Sequence, residues 1–403
     1  MTRIATFNGF NASLESLMDR QSSLTASQEQ MTTGKRVSRA SDDPAAAARA
    51  ERALATEQRT VATQRAVDAS NNALTLTDSA LGDATSLLQQ AREALVSAGN
   101  ASYSDAERLG IANQLADLRG QLLSVANRAD SAGNYLFGGQ GATQTPFADV
   151  PGGVQFQGTG GTSQAASGDA LPLTTDGDAT WMHVRTGNGV FQTGVVTSSG
   201  SARIDTGSVT DPSAITNSTY TIQFSVAGSG SSATTTYSVL KDGNPTAQSN
   251  VAYTAGHAIQ VDGMSFTIDG QPANGDAFQT TPSTPTMSVF DALDQAITNL
   301  KTPARSTTKI AQANVLDLNN VDRALTQVSN SRSAIGTAMN RIDSVTNRLS
   351  DLKLASQTER SNAEDVDMTK AISDFSNQQT GYDAALKAYS MVQKLSLFNY
   401  LGN

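Results

Sequence analysis

Residues 67–95 read VDASNNALTLTDSALGDATSLLQQAREAL, and Val67, Leu74, Leu81, Leu88 and Leu95 recur in this stretch at every seventh position. An apolar residue on a 3.5-residue period keeps one stripe of a helix facing a partner helix along its whole length, as in a coiled-coil seam. The helix runs well beyond the quoted stretch. Asp43 is placed to cap it, Pro44 suits its first turn, Ala45 to Ala48 favour propagation, and Gly99-Asn100 ends it. At 1.5 Å per residue, residues 44–98 make a helix of about 82 Å.

No globular core of ordinary size buries such a helix, so it needs a partner of its own length. Residues 304–357 supply one of about 80 Å. Its seam is Val321, Leu325, Val328, Ile335, Met339, Ile342 and Leu349, with Arg332 and Thr346 in register. The two helices lie far apart in the chain, so what separates them must be inserted at one end of the pair. The predicted fold class is α+β: a long coiled-coil helical rod formed by both chain ends, with a β-rich domain at its distal end.

The insert differs in composition. No Glu lies between Glu107 and Glu359, and residues 151–285 are rich in Gly, Ser and Thr. Tyr220, Ile222, Phe224 and Val226 alternate as one face of a strand, as do Met264, Phe266 and Ile268. Asp242-Gly243, Asp262-Gly263, Asp269-Gly270 and Asn274-Gly275 read as turns between strands.

Two further amphipathic segments flank the rod. In the first, Phe10, Leu14, Leu17, Leu24 and Met31 step by four and three, with Gln21 and Gln28 in the remaining slots. The last helix carries Met368, Ile372, Phe375, Tyr382, Leu386 and Tyr389. Between the rod halves, Ile111, Leu115, Leu118, Leu122, Val125 and Ala129 repeat the four-three step, while Ser104 with Glu107 and Ser361 with Glu364 have capping-box spacing. The outer segments have no further chain to cover them, and a lone amphipathic helix is marginal in water. Their apolar stripes are therefore expected to be an interface. The assembly residues predicted are Phe10, Leu14, Leu17, Leu24, Met31, Ile372, Phe375, Tyr382, Leu386, Tyr389, Leu397, Phe398 and Tyr400.

The division expected is 1–33 as an N-terminal assembly and export helix and 34–150 as one arm of the rod. Residues 151–285 form the β-rich insert, 286–360 the second arm, and 361–403 a C-terminal helix for assembly and chaperone binding.

Composition narrows the chemistry. A formal net charge of -9 argues against a nucleic-acid partner. There is no Cys for a disulfide or a thiolate metal site, no apolar signal region in the first thirty residues, and no run long enough for membrane insertion. His183 and His257 are the only histidines and have no zinc-site spacing. No nucleophile elbow is present, Gly34-Lys35 lacks the upstream Gly of a phosphate loop, and Asp176-Gly177-Asp178 falls short of a calcium loop. No enzyme, cofactor or metal is expected.

Four motifs in order carry a resemblance. Thr33-Gly34-Lys35-Arg36-Val37 through Ser41-Asp42-Asp43-Pro44-Ala45 resembles the loop-then-helix signature near the N-terminus of flagellins and hook-associated proteins. Ala363-Glu364-Asp365-Val366-Asp367 to the terminus resembles the flagellin C-terminal helix. Tyr135-Leu136-Phe137-Gly138-Gly139 with Thr145-Pro146-Phe147, and the closing Leu395-Ser396-Leu397-Phe398-Asn399-Tyr400-Leu401, are similar to the junction branch of that superfamily rather than to flagellin itself.

The resemblance covers both arms and the end of the insert, where residues 259–290 look like a β segment shared among hook-associated proteins. Much of 158–250 lies outside it. It implies a secreted subunit of the bacterial flagellum at the hook–filament junction, exported by the flagellar type III apparatus. Its implied partners are the first junction protein (hook-associated protein 1), flagellin, itself in a ring, and a small helical export chaperone. Two other readings stay open on the residues alone: a flagellin filament subunit, and a secreted β-domain binding module carried on helical arms.

Overall fold

The structure, a computed structural model, describes residues 2–142, 144–166, 168–228 and 233–401, with side chains for those among residues 10–391 and for residue 393. The helices are α1 (Thr2–Thr33), α2 (Pro44–Ala98), α3 (Asp105–Ala126), α4 (Gly177–Trp181), α5 (Val289–Lys301), α6 (Thr307–Glu364) and α7 (Met368–Leu401). The strands are β1 (Phe147–Val150), β2 (Gly153–Phe156), β3 (Phe191–Thr197), β4 (Arg203–Ile204), β5 (Ser208–Val209), β6 (Tyr220–Ala227), β7 (Thr234–Lys241), β8 (Asn244–Pro245), β9 (Val251–Ala252), β10 (Ala258–Val261), β11 (Met264–Asp269) and β12 (Ala277–Pro282). The chain gathers into two compact units, Met1–Arg65 with Val345–Asn403, and Ala66–Ser344.

The long helices follow their periodicity closely. Covered positions of α2 advance by alternating four and three from Ala46 to Ala98, with only Glu57 and Gln64 partly exposed. Between Leu74, Leu81, Leu88 and Leu95 lie Ser70, Thr77, Ala84, Ala91 and Ala98, also seven apart and also buried. Large residues on one line and small ones on the other let a partner helix come close on one side. On α6 the matching line is Val321, Val328, Ile335, Ile342, Leu349, Ser356 and Ala363, all buried. Burying each large apolar side chain contributes roughly 1.5–3 kcal/mol.

Polar pairs fix the register. In the larger unit, Arg332 bonds Asp78 at 2.7 and 3.1 Å, Arg92 bonds Asp322 at 2.7 Å, and Asn314 Nδ2 donates to Leu95 O at 2.7 Å. In the smaller unit, Arg360 and Gln357 both reach Glu57 at 2.9 Å. Residue numbers rise on one helix as they fall on the other, so α2 and α6 run antiparallel.

The larger unit also holds the β region. One sheet has the order β3-β12-β6-β7-β8 with β9 beside β7; another has β10-β11-β4 with β5 beside β11; all pairs are antiparallel. Tyr220, Ile222 and Phe224 of β6 and Met264, Phe266 and Ile268 of β11 share one core with Phe191 and Phe278, as their alternation predicts. Asp262 and Gly263 both take positive φ (40° and 79°) to turn β10 into β11, which is the two-residue hairpin geometry their pairing implies.

Before this sheet begins, the incoming and outgoing chains already run side by side. Ser283 N donates to Val190 O at 3.0 Å, Thr186 N to Thr284 O at 3.1 Å, and Val184 N to Met287 O at 2.8 Å.

A second core sits where α5 packs on α3. Trp181 stacks on Phe290 at 5.8 Å, and Phe137 meets Trp181 edge-on at 5.3 Å, with Phe147 alongside. Arg119 of α3 grips Asp149 of β1 through both terminal nitrogens (2.6 and 2.8 Å) and reaches Asp294 of α5 through Nε at 2.6 Å. The Tyr135–Gly139 motif therefore has a packing cause. Phe137 fills this core, and a side chain on Gly139 would collide with Thr159 O, 1.8 Å from the Cβ position.

Helix punctuation agrees at Ser104, whose capping box with Glu107 is complete, and at Asp43, which accepts from Ala46 N at 3.0 Å. It differs at Ser361. That residue lies inside α6, and its hydroxyl donates to Asp365 at 2.5 Å. Asp367 caps the following helix instead, accepting from Thr369 N and Lys370 N at 3.0 and 3.2 Å.

Candidate assembly surface at the paired chain ends

The smaller unit contains both terminal helices, and their junctions with the long helices carry most of the motif residues. Gly34 ends α1 with φ +70°, a left-handed conformation that a β-carbon disfavours. The next residues pair with the α6–α7 link. Arg36 N and Val37 N both donate to Glu364 O, at 2.7 and 3.2 Å, and Val366 N donates to Gly34 O at 3.0 Å. Arg36 Nη2 reaches Ala363 O at 2.8 Å, and Lys35 pairs with the Glu364 carboxylate at 3.2 Å. Val37 and Ala363 are buried behind this clasp.

The acidic half of the motif is turn chemistry. Asp42 accepts from Arg39 N at 2.8 Å and Ser38 N at 3.1 Å, and these backbone bonds, led by Arg39, lower its pKa below the ordinary Asp value. Asp43 is lowered first by the Ala46 N–H that it caps, then by Arg36. Both groups are solvent-facing, so they contribute little to stability.

Helices α1 and α7 run antiparallel against one another. Ser27 Oγ donates to Gln378 Oε1 at 2.8 Å, and the Phe10 and Tyr389 rings lie 5.4 Å apart at 41°. Leu14, Leu17, Leu24 and Met31 are half-buried, as are Phe375, Tyr382 and Tyr389, while Phe10 is borderline exposed. The terminal stripes thus cover each other in part within a single chain. Ile372 and Leu386 lie on a different flank and are 57% and 40% exposed, together with Met368, Met391 and, on α1, Met18 at 59%. Leu397, Phe398 and Tyr400 lie outside the residues whose side chains are described.

Two details were not legible from the stripe. Gln21 and Gln28 are exposed, and Ser27 takes the covered slot beside Leu24. A short hydroxyl there admits the partner helix and bonds Gln378, whereas a buried glutamine would need several partners. Gly381 is the second. The Arg20 guanidinium passes 2.8 Å from where its β-carbon would stand. A glycine inside a helix costs about 1 kcal/mol, so its presence there was an available signal of close approach.

Among the described residues there is no group of three or more His, Cys, Asp or Glu side chains that could hold a metal, and no helix is long and apolar enough to cross a membrane. His183 bonds Asp178 at 2.8 Å and Pro285 O at 3.2 Å, which raises its pKa, with the Asp178 bond as the main cause.

Comparison with known proteins bears on both ends of the chain. The family description "bacterial flagellin N-terminal helical region" matches residues 4–142, and "bacterial flagellin C-terminal helical region" matches 318–401. Flagellar hook-associated protein 3 of Escherichia coli (strain K12) is 26% identical over 374 residues, covering 92% of this chain and 90% of its own. The crystal structure of hook-associated protein 3 from Legionella pneumophila aligns at 27% identity with a TM-score of 0.70, over 76% of this chain and 97% of that one. A structure described as the flagellar junction protein FlgL of the same organism aligns at 27% identity and a TM-score of 0.64, over 70% and 94%.

Proposed function

We propose, since the chain belongs to the flagellin superfamily in its hook-associated protein 3 branch, that it is the subunit joining the hook to the filament. It is a structural flagellar protein and not an enzyme. In the proposed role it assembles as a ring on the first junction protein, hook-associated protein 1, and offers its other surface to flagellin. It reaches that position by secretion through the flagellar type III apparatus, threaded unfolded, and the absence of cysteine suits a chain that must remain unlinked.

The observation that carries this reading is the incomplete cover of the terminal helices. α1 and α7 satisfy each other along one face and leave Met18, Met368, Ile372, Leu386 and Met391 in solvent. A monomer has no use for such a stripe, whereas a subunit with neighbours does. The same stripe needs cover before export. A small helical chaperone seated on Ile372 and Leu386 would supply it and would exclude assembly while bound.

Electron microscopy of a strain lacking this chain tests the role. Hooks should persist without filaments, and flagellin should accumulate in the medium. Normal filaments in that strain would overturn the proposal.

A further inference from the structure

In the smaller unit, α2 and α6 leave an open groove of about 460 Å³ between them, lined by Arg49, Arg52, Ala53, Thr56, Ala355 and Glu359. Its floor is small because the seam here is built of Ala50, Ala53 and Ser356 instead of leucines. Two helices packed through such residues lie close together and still leave a notch at their shared edge. Arg49 and Arg52 are one turn apart on a single face, exposed, and in no ion pair among the described residues. Arg52 Nε bonds Ala48 O at 3.1 Å, within its own helix. Glu359 is the single acid of the lining, so the groove is net cationic.

A matching surface exists on the same unit. Met18 of α1 is an exposed large apolar residue, and Glu15 and Asp19 flank it on one helical face, both exposed and unpaired among the described residues. Glu15 and Asp19 are separated by about 6 Å of helix rise and Arg49 and Arg52 by about 4.5 Å, so two ion pairs can form beside one inserted side chain. Methionine is unbranched and adaptable, suited to an alanine-lined notch. Met391, the most exposed apolar residue described on α7, fits less well, since it is followed by Lys394 and preceded by Lys387, which would face the two arginines with like charge.

We infer that Met18 of one copy of this chain inserts between Ala53 and Ala355 of the next, with Glu15 and Asp19 paired to Arg49 and Arg52. The interface is head-to-tail. Each copy offers both a knob and a groove, so the contact repeats around a ring or along a helix. The inference rests on the assembly role proposed above and adds the surface through which copies of this chain meet.

The test uses the full chain in a strain without its own copy. A benzophenone amino acid replaces Thr56 at the lip of the groove, and intact hooks with filaments are isolated and irradiated. Mass spectrometry should place the adduct on residues 15–22 of a second, differently tagged copy. Reversing charge with Arg49→Glu and Arg52→Glu should lower the adduct yield about tenfold, and adding Glu15→Arg and Asp19→Arg should restore it. An adduct within one copy, on another region or on another protein overturns the inference, as does a yield that charge reversal leaves unchanged or no adduct at all. Those outcomes leave the junction role standing as long as the tagged chain is found at hook tips. Its absence from the tips overturns both.

Discussion

Asp317 of α6 is only 3% exposed, and its carboxylate oxygens accept from Asn299 Nδ2 at 2.9 and 3.0 Å. Desolvation by burial is the main influence and raises its pKa to about 7, against the smaller lowering effects of Asn299 and the Arg305 charge. The cavity beside it is lined by neutral groups such as Gln192, Thr193, Asn319 and Asn320. A carboxyl whose folded pKa exceeds its unfolded value holds its proton longer when folded. Its contribution therefore falls as pH rises from about 4 to about 7 and is level above that, a loss on the order of 4 kcal/mol. Asp317→Asn should flatten this part of the profile. The melting temperature of the variant minus that of the parent should be more positive at pH 8 than at pH 5, and an equal difference at both values would show that Asp317 does not titrate in that window. Nothing in the sequence marks this residue, because a buried aspartate and an exposed one are written alike. The same limit applies to Ser27, whose cover depends on Gln378 far along the chain.

At the scale of elements, periodicity was the legible part. The seven-residue recurrence of Val67 to Leu95 and of Val321 to Leu349 predicts two long helices, and both exist with those residues buried or half-buried. Leu81→Asp and Ile335→Asp each place a carboxylate in an apolar seam, and each should destabilise the chain by more than about 3 kcal/mol. Thermal melts followed by circular dichroism should show both transitions falling by roughly 5 °C or more, and melts that match the parent would mean that α2 and α6 do not depend on each other. The companion line of Ser70, Thr77, Ala84, Ala91 and Ala98 was harder to see, since small and polar residues also populate solvated faces. Hydrogen bonds within or beyond the helix satisfy its hydroxyls, Thr77 to Ala73 O at 2.8 Å and Ser70 to Pro172 O at 2.6 Å. The capping box at Ser288 is less legible in the sequence for a simpler reason: its third residue is Asp291 in place of the usual Glu or Gln.

For the whole molecule, composition revealed an inserted β region but not its seams. Removing 158–250 would take β3 and β6 away and strip both partners from β12. The paired chain legs at 184–190 and 283–287 mark a better cut. Replacing 191–282 with a short Gly/Ser turn should leave a soluble, helical chain that still supports filaments. The loss of both hydrogen bonds between Gln312 and Ile204, 2.8 and 3.0 Å, should cost about 1–3 kcal/mol. Circular dichroism of the shortened chain and a swimming assay in the deletion strain check this. A shortened chain that is exported yet builds no filament would mean that the sheets take part in the junction. Strand identity was readable from alternation and turn pairs, whereas strand order was not, because β12 pairs with β3 and β6 across long stretches of sequence that carry no mark of it.

The clasp between the two linkers has a mechanical meaning. Glu364 O receives two N–H groups from the α1–α2 link while Val366 N returns one to Gly34, so neither linker can slide without breaking bonds to the other. Tension on one terminal helix is then shared with the other before it reaches the long helices. In an organelle that turns against viscous drag, that coupling would spread torque over both chain ends of every subunit.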